Sequence, residues 1–98
     1  MIALTPEASA QLDVLERFYV EKQRPQALRN LGYALAEASL IILNAPERGM
    51  AAPRPYPELS TFGLLWLKCG RYWIAYDLRG PTIASVFFDT DDIPDRLR

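Results

Sequence analysis

Leu65 to Pro94 reads LWLKCGRYWIAYDLRGPTIASVFFDTDDIP: three short strand patterns separated by tight turns and closed by an acidic tail. Split at Cys69–Gly70, the first two strands sort their residues by face. One face carries Leu65, Leu67, Tyr72, Ile74, Tyr76 and Leu78, and reads as a core. The other carries Trp66 and Trp73 beside Lys68 and Arg71. A two-residue Cys69–Gly70 turn would pair Lys68 with Arg71, Trp66 with Trp73 and Leu64 with Ala75. For the second turn, a three-residue loop Arg79–Gly80–Pro81 pairs Leu78 with Thr82 and puts Ala84, Val86 and Phe88 on the core face. A two-residue Gly80–Pro81 loop would instead turn Ser85 and Asp89 inward. Burying a carboxylate disfavours that register. In the favoured one, Trp73 lies opposite Phe87 and Arg71 opposite Asp89. The open face then shows an aromatic row, Trp66–Trp73–Phe87, and a charged row, Lys68–Arg71–Asp89.

Upstream, Met1 to Leu4 is a short apolar start that suits a strand. Thr5 caps a helix whose first residue is Pro6, where the missing N–H costs nothing. Ala8, Leu12, Leu15 and Tyr19 form its buried stripe, which Phe18 widens. Pro25 starts a second helix with the stripe Leu28, Leu31, Leu35, Ala38 and Ile42, ended by Asn44 and Pro46. The short link implies an antiparallel hairpin. Gly32 either weakens the second helix or admits close packing with the first. Ala27, Ala34 and Ile41 flank the stripe as candidates for partner binding or self-association. Residues 46–63 lack periodicity and hold four prolines, which reads as a stiff connector with Arg54 and Tyr56 as its only potential actors.

The 98 residues suffice for one domain, and half of them are hydrophobic. No apolar run approaches the ~20 residues that span a bilayer, and MIALTPEAS has no signal-peptide pattern. A cytoplasmic protein is expected. One cysteine rules out an internal disulfide and a multi-thiolate metal site. The absence of histidine removes the commonest general base. Cys69, placed in an exposed turn, reads as incidental. Asp91, Asp92 and Asp95 suit the start of a short C-terminal helix, Asp91 to Arg98, better than a metal site. No metal or cofactor is expected. Net charge is −1, unlike a non-specific nucleic-acid binder, so direct nucleic-acid binding is not expected.

The order strand, helix, helix, loop, three-strand meander resembles the RelE/ParE superfamily of bacterial toxin–antitoxin toxins. The phrases that carry the likeness are LTPEASAQLD, NAPERG, PRPYPEL, GRYWIAYDLRG and VFFDTDDIPDRL. The resemblance implies an α+β fold, a helical hairpin on one face of a curved antiparallel sheet, and a cognate antitoxin that silences the toxin. RelE-like members cut mRNA in the ribosome, whereas ParE-like members poison DNA gyrase. The RelE-like pattern implies alternating lysines on the first meander strand and an arginine on the next. It also implies an arginine after the last strand and often a C-terminal tyrosine. Here only Lys68 is basic on that first strand, Asp89–Thr90–Asp91–Asp92 follows the last, and no tyrosine follows Tyr76. DDIPDRL looks more like ParE relatives.

The resemblance therefore implies a ParE-like binding inhibitor with no catalytic residues. Its partner surface would be Trp66, Lys68, Arg71, Trp73 and Phe87. The alternatives are a ribosome-dependent nuclease using Arg54, Lys68, Arg71 and Arg79, or a non-toxic antitoxin-binding module. Lys68 and Arg71 read more readily as turn charges, with Arg71 paired to Asp89, than as a phosphate grip.

Overall fold

Thr5 ties the start of the chain to its last strand. Its side chain accepts from the Ala8 N–H at 3.1 Å and donates to the Ala84 carbonyl at 3.0 Å. Its own N–H donates to the Ile83 carbonyl at 2.9 Å. One residue thus caps a helix and closes a sheet.

The computed structural model describes residues 2–89. Its elements are β1 (Ala3–Leu4), α1 (Pro6–Glu21), α2 (Pro25–Asn44), β2 (Leu65–Cys69), β3 (Tyr72–Asp77) and β4 (Thr82–Phe88). Short 3₁₀ turns span Pro46–Arg48 and Pro57–Phe62. The architecture is α+β, two helices packed on a four-stranded sheet of order β1-β4-β3-β2. The sheet is mixed, not wholly antiparallel as expected, because β1 runs parallel to β4. The expected C-terminal helix lies outside the described residues.

Both helices begin where the prolines predict, at Pro6 and Pro25. The link between them is a Schellman-type turn: Gln23 donates to Val20 and Arg24 to Tyr19, with Gln23 at φ 53°. The usual residue at that left-handed position is glycine, so its sequence signal was missing. Ala8, Leu12 and Tyr19 of α1 and Leu31, Leu35, Ala38 and Ile42 of α2 are buried as the stripes predict. Phe18 is not; it stands 48% exposed. Ala34 is buried, and Ala27 and Ile41 pack against the core, so those three flanking residues are not a free surface. Gly32 makes no close packing, since a Cβ there would meet nothing within 4 Å.

The first hairpin turns at Gly70–Arg71, not at Cys69–Gly70. Lys68 pairs with Trp73, Trp66 with Ala75 and Leu65 with Tyr76. Gly70 takes φ 58° at the first central position, as a II′ turn requires. Relative to the expected register, each partner moves by two residues, so no side chain changes face. The second hairpin has a four-residue loop, pairing Asp77 with Thr82. A bulge at Ala84 then restores the expected pairs Trp73–Phe87 and, at the end, Arg71–Asp89. Ile83, not Ala84, therefore faces the helices, while Val86 and Phe88 do so as expected.

Replacing Thr5 by Ala should cost about 1–2 kcal/mol in denaturant unfolding, and Thr5→Ser should recover most of it. Gln23→Gly should raise stability by up to about 1 kcal/mol, read the same way.

Candidate functional site

Alternation along β3 sends Tyr72, Ile74 and Tyr76 toward the helices, and Trp73 and Ala75 to the opposite face. That opposite face is not open. Trp66, Trp73 and Phe87 are 0%, 5% and 1% exposed. Residues 46–63 fold over them, bringing Leu59 into the same cluster with Met50, Ala52, Tyr56 and Leu64 at its edge. Trp66 stacks on Phe87 at 6.2 Å between ring centroids. The expected exposed aromatic row is thus a second, smaller core.

The segment is not a stiff connector. Met50 and Trp66 exchange backbone hydrogen bonds at 2.8 and 2.7 Å. The Tyr76 hydroxyl donates to the Pro46 carbonyl and accepts from the Gly49 N–H at 3.0 Å. A Cβ on Gly49 would sit 2.7 Å from that of Leu65, so only glycine passes there. The signal for this layer was present as apolar residues without a period, Met50, Tyr56, Leu59 and Leu64.

Where the folded segment meets the first hairpin, a cleft of roughly 580 Å³ opens, lined by Met50, Arg54, Pro55, Lys68, Trp73 and Asp89. Lys68 Nζ lies 5.6 Å from the Trp73 ring centre. Asp89 Oδ2 is 3.0 Å from Arg71 Nε and 3.8 Å from Lys68 Nζ. The Asp89 N–H donates to the Arg71 carbonyl at 2.8 Å. The Arg71 guanidinium also lies 5.1 Å from the Phe88 ring centre. Arg71 is thus paired to Asp89 as expected. Asp89 Oδ1 is buried with no hydrogen-bond partner among the described residues.

The structure brings Arg54 and Lys68 to one cleft, with Arg71 joined through Asp89. Arg79 is elsewhere: it pairs with Asp77 at 3.2 Å, beyond the other end of β3, about 20 Å along the strand. That pairing lowers the Asp77 carboxyl below its usual range. Three cations face one carboxylate around the cleft. This arrangement can hold an anion, provided the anion competes with Asp89.

Tyr19, Tyr72 and Tyr76 do not serve the cleft as acid or base. Tyr72 and Tyr19 share a hydrogen bond at 2.5 Å on the helix side. Burial, then that hydrogen bond, pushes the Tyr72 hydroxyl up. Tyr76 is likewise raised by burial. Cys69 is not in an exposed position; it is 1% exposed on the core face, and burial followed by the charge of Glu37 raises its thiol from 9.0 to about 11. Asp91, Asp92 and Asp95 lie outside the described residues. Among the described residues, no helix is long and apolar enough to cross a membrane. Among known proteins, no family model matches the chain and no curated protein matches it.

Trp73→Ala should lower stability by about 3–5 kcal/mol in denaturant unfolding, as for a core aromatic, where an exposed platform residue would cost little. A raised thiol pKa stabilises the folded state fully below pH 9, and that contribution fades as pH rises toward 11. Stability should therefore fall by on the order of 2 kcal/mol over that interval. Cys69→Ala should flatten the lower half of the decline, before Tyr72 begins to add to it.

Proposed function

We propose that the chain is a ParE-like toxin of a type II toxin–antitoxin pair. It acts as a binding inhibitor of DNA gyrase and is held silent by a cognate antitoxin. Support comes from the order of elements and from the quoted phrases, which run along most of the chain. An α+β fold of two helices on a sheet agrees with that likeness in its coarse class.

The observation that carries the choice against a nuclease is Asp89. Its carboxylate sits on Arg71 and near Lys68, where a scissile phosphate would have to bind. A nuclease stabilises growing negative charge with preorganised cations, and a resident carboxylate opposes that. Arg79 is paired with Asp77, and the hydroxyls of Tyr19, Tyr72 and Tyr76 are engaged away from the cleft.

The second reading, a ribosome-dependent mRNA endonuclease, is favoured by one fact: Arg54 and Lys68 share a cleft, with Arg71 beside it. A non-toxic module that only binds an antitoxin is the third.

Expression of the chain alone in bacteria, with DNA and mRNA integrity followed together, separates the three. Gyrase poisoning should give growth arrest with DNA-damage signalling and intact transcripts. Arrest with rapid transcript cleavage, abolished by Lys68→Ala with Arg54→Ala, would establish the nuclease. Unimpaired growth despite folded protein would leave the binding module.

A further inference from the structure

β2 ends the sheet, and its outer edge is paired at Trp66 alone. Met50 and Trp66 exchange both backbone hydrogen bonds there, at 2.8 and 2.7 Å. Pairs along an antiparallel ladder alternate between bonded and non-bonded, so the backbone groups of Lys68, two residues on, point outward as those of Trp66 do. The residue that would meet them by continuing the bridge is Arg48, but Arg48 lies in the 3₁₀ turn and donates to the Ala45 carbonyl at 3.0 Å. The Lys68 N–H and C=O are thus left without a backbone partner among the described residues. We propose that an extended acidic peptide segment of a partner protein binds at this edge, pairing its backbone with Lys68 and placing a carboxylate in the cleft beside Lys68 and Arg54.

The chemistry of the occupant follows from the edge and the charges together. A residue paired opposite Lys68 projects its side chain from the same face as Lys68. That is the face of the cleft, where Lys68 stands with Arg54 and Trp73. Arg54 is exposed and makes no ion pair or hydrogen bond among the described residues. Lys68 lies 3.8 Å from the Asp89 carboxylate, which sits closer to Arg71, at 3.0 Å. Both cations therefore keep capacity for a further carboxylate. A lysine on a sheet edge deters indiscriminate pairing, and an acidic residue opposite turns that deterrent into an attraction.

A peptide brings a donor and an acceptor at each residue, as the Lys68 edge requires. A phosphodiester brings acceptors but no N–H for the Lys68 carbonyl, and sets its charge against Asp89. The inference goes beyond the toxin reading and does not rest on it. A chain that proves harmless in bacteria can still bind such a segment, and a toxic one can fail to.

The test is titration of the isotopically labelled full chain with a blocked pentapeptide of alternating valine and aspartate, followed by its amide NMR signals. Two control peptides replace aspartate by asparagine or carry N-methyl groups on the aspartate amides. The Lys68 amide and the Trp73 indole signals should shift and saturate. The asparagine peptide should bind about fivefold more weakly. The N-methylated one should lose about as much, through the hydrogen bond to Lys68. Lys68→Ala should erase the preference for aspartate over asparagine and leave affinity for the asparagine peptide unchanged. Excess inorganic phosphate should leave the complex in place. No saturable shift at Lys68 would overturn the proposal. So would a control peptide that binds as tightly, or a preference for aspartate that survives Lys68→Ala. Displacement by phosphate would overturn it too, by marking a simple anion site.

Discussion

β3 is buried on both faces, and that constraint organises the molecule. Its odd and even residues feed two separate apolar layers, one under the helical hairpin and one under residues 46–63. A strand with one wet face would need polar residues at Trp73 and Ala75. With tryptophan there, beside Trp66 and Phe87, an uncovered sheet would expose a continuous aromatic patch. The proline-rich segment removes it. Four prolines limit the freedom that ordering the segment loses, and Pro53 is itself fully buried. Tyr76 links the two layers: its ring lies in the helix-side core, while its hydroxyl holds the backbone at Pro46 and Gly49.

The same arrangement limits the chemistry. Once the aromatic row is covered, the charged row at the end of the first hairpin borders the only part of that face left as a cleft among the described residues that contains both Lys68 and Arg54. Asp89, delivered by the last residues of the sheet, neutralises part of it. A surface ion pair of this kind contributes little to stability, about 0–1 kcal/mol. Its larger consequence is electrostatic, because a phosphate entering the cleft meets the Asp89 carboxylate as well as Arg54 and Lys68. A binding inhibitor tolerates that mixture better than a nuclease does.

Covering one face of the sheet also shifts attention to the helices. In sequence the meander looks like the interaction surface, because tryptophans beside cations are typical of binding hot spots. The large apolar side chains that remain exposed lie elsewhere, several of them on the outer face of α2. A helix whose two faces are both apolar is read from sequence as more deeply buried than it is, and the second stripe is hidden by the first.

The sequence by itself determined the helices, the Thr5 cap, the inner stripes and the faces taken in the first hairpin by Leu65 to Lys68 and by Tyr72 to Tyr76, but not that of Cys69, which is buried on the core face, nor that of Leu78, which is exposed. Each of these depends on local periodicity or on one capping residue. A two-residue slip in that hairpin left the faces intact because strand side chains repeat every two residues. The Arg71–Asp89 pair was also legible, since it follows from strand pairing alone. Only the tertiary structure decided that β1 joins β4 in parallel, that Ala84 bulges, and that residues 46–63 cover the aromatic row. Each depends on partners distant in the chain: Thr5 reaching Ala84, Ile83 sought by the helical core, and Tyr76 reaching Pro46. No local pattern encodes such contacts. For the same reason Trp66, Trp73 and Phe87 could be read as a surface from sequence, yet belong to a core.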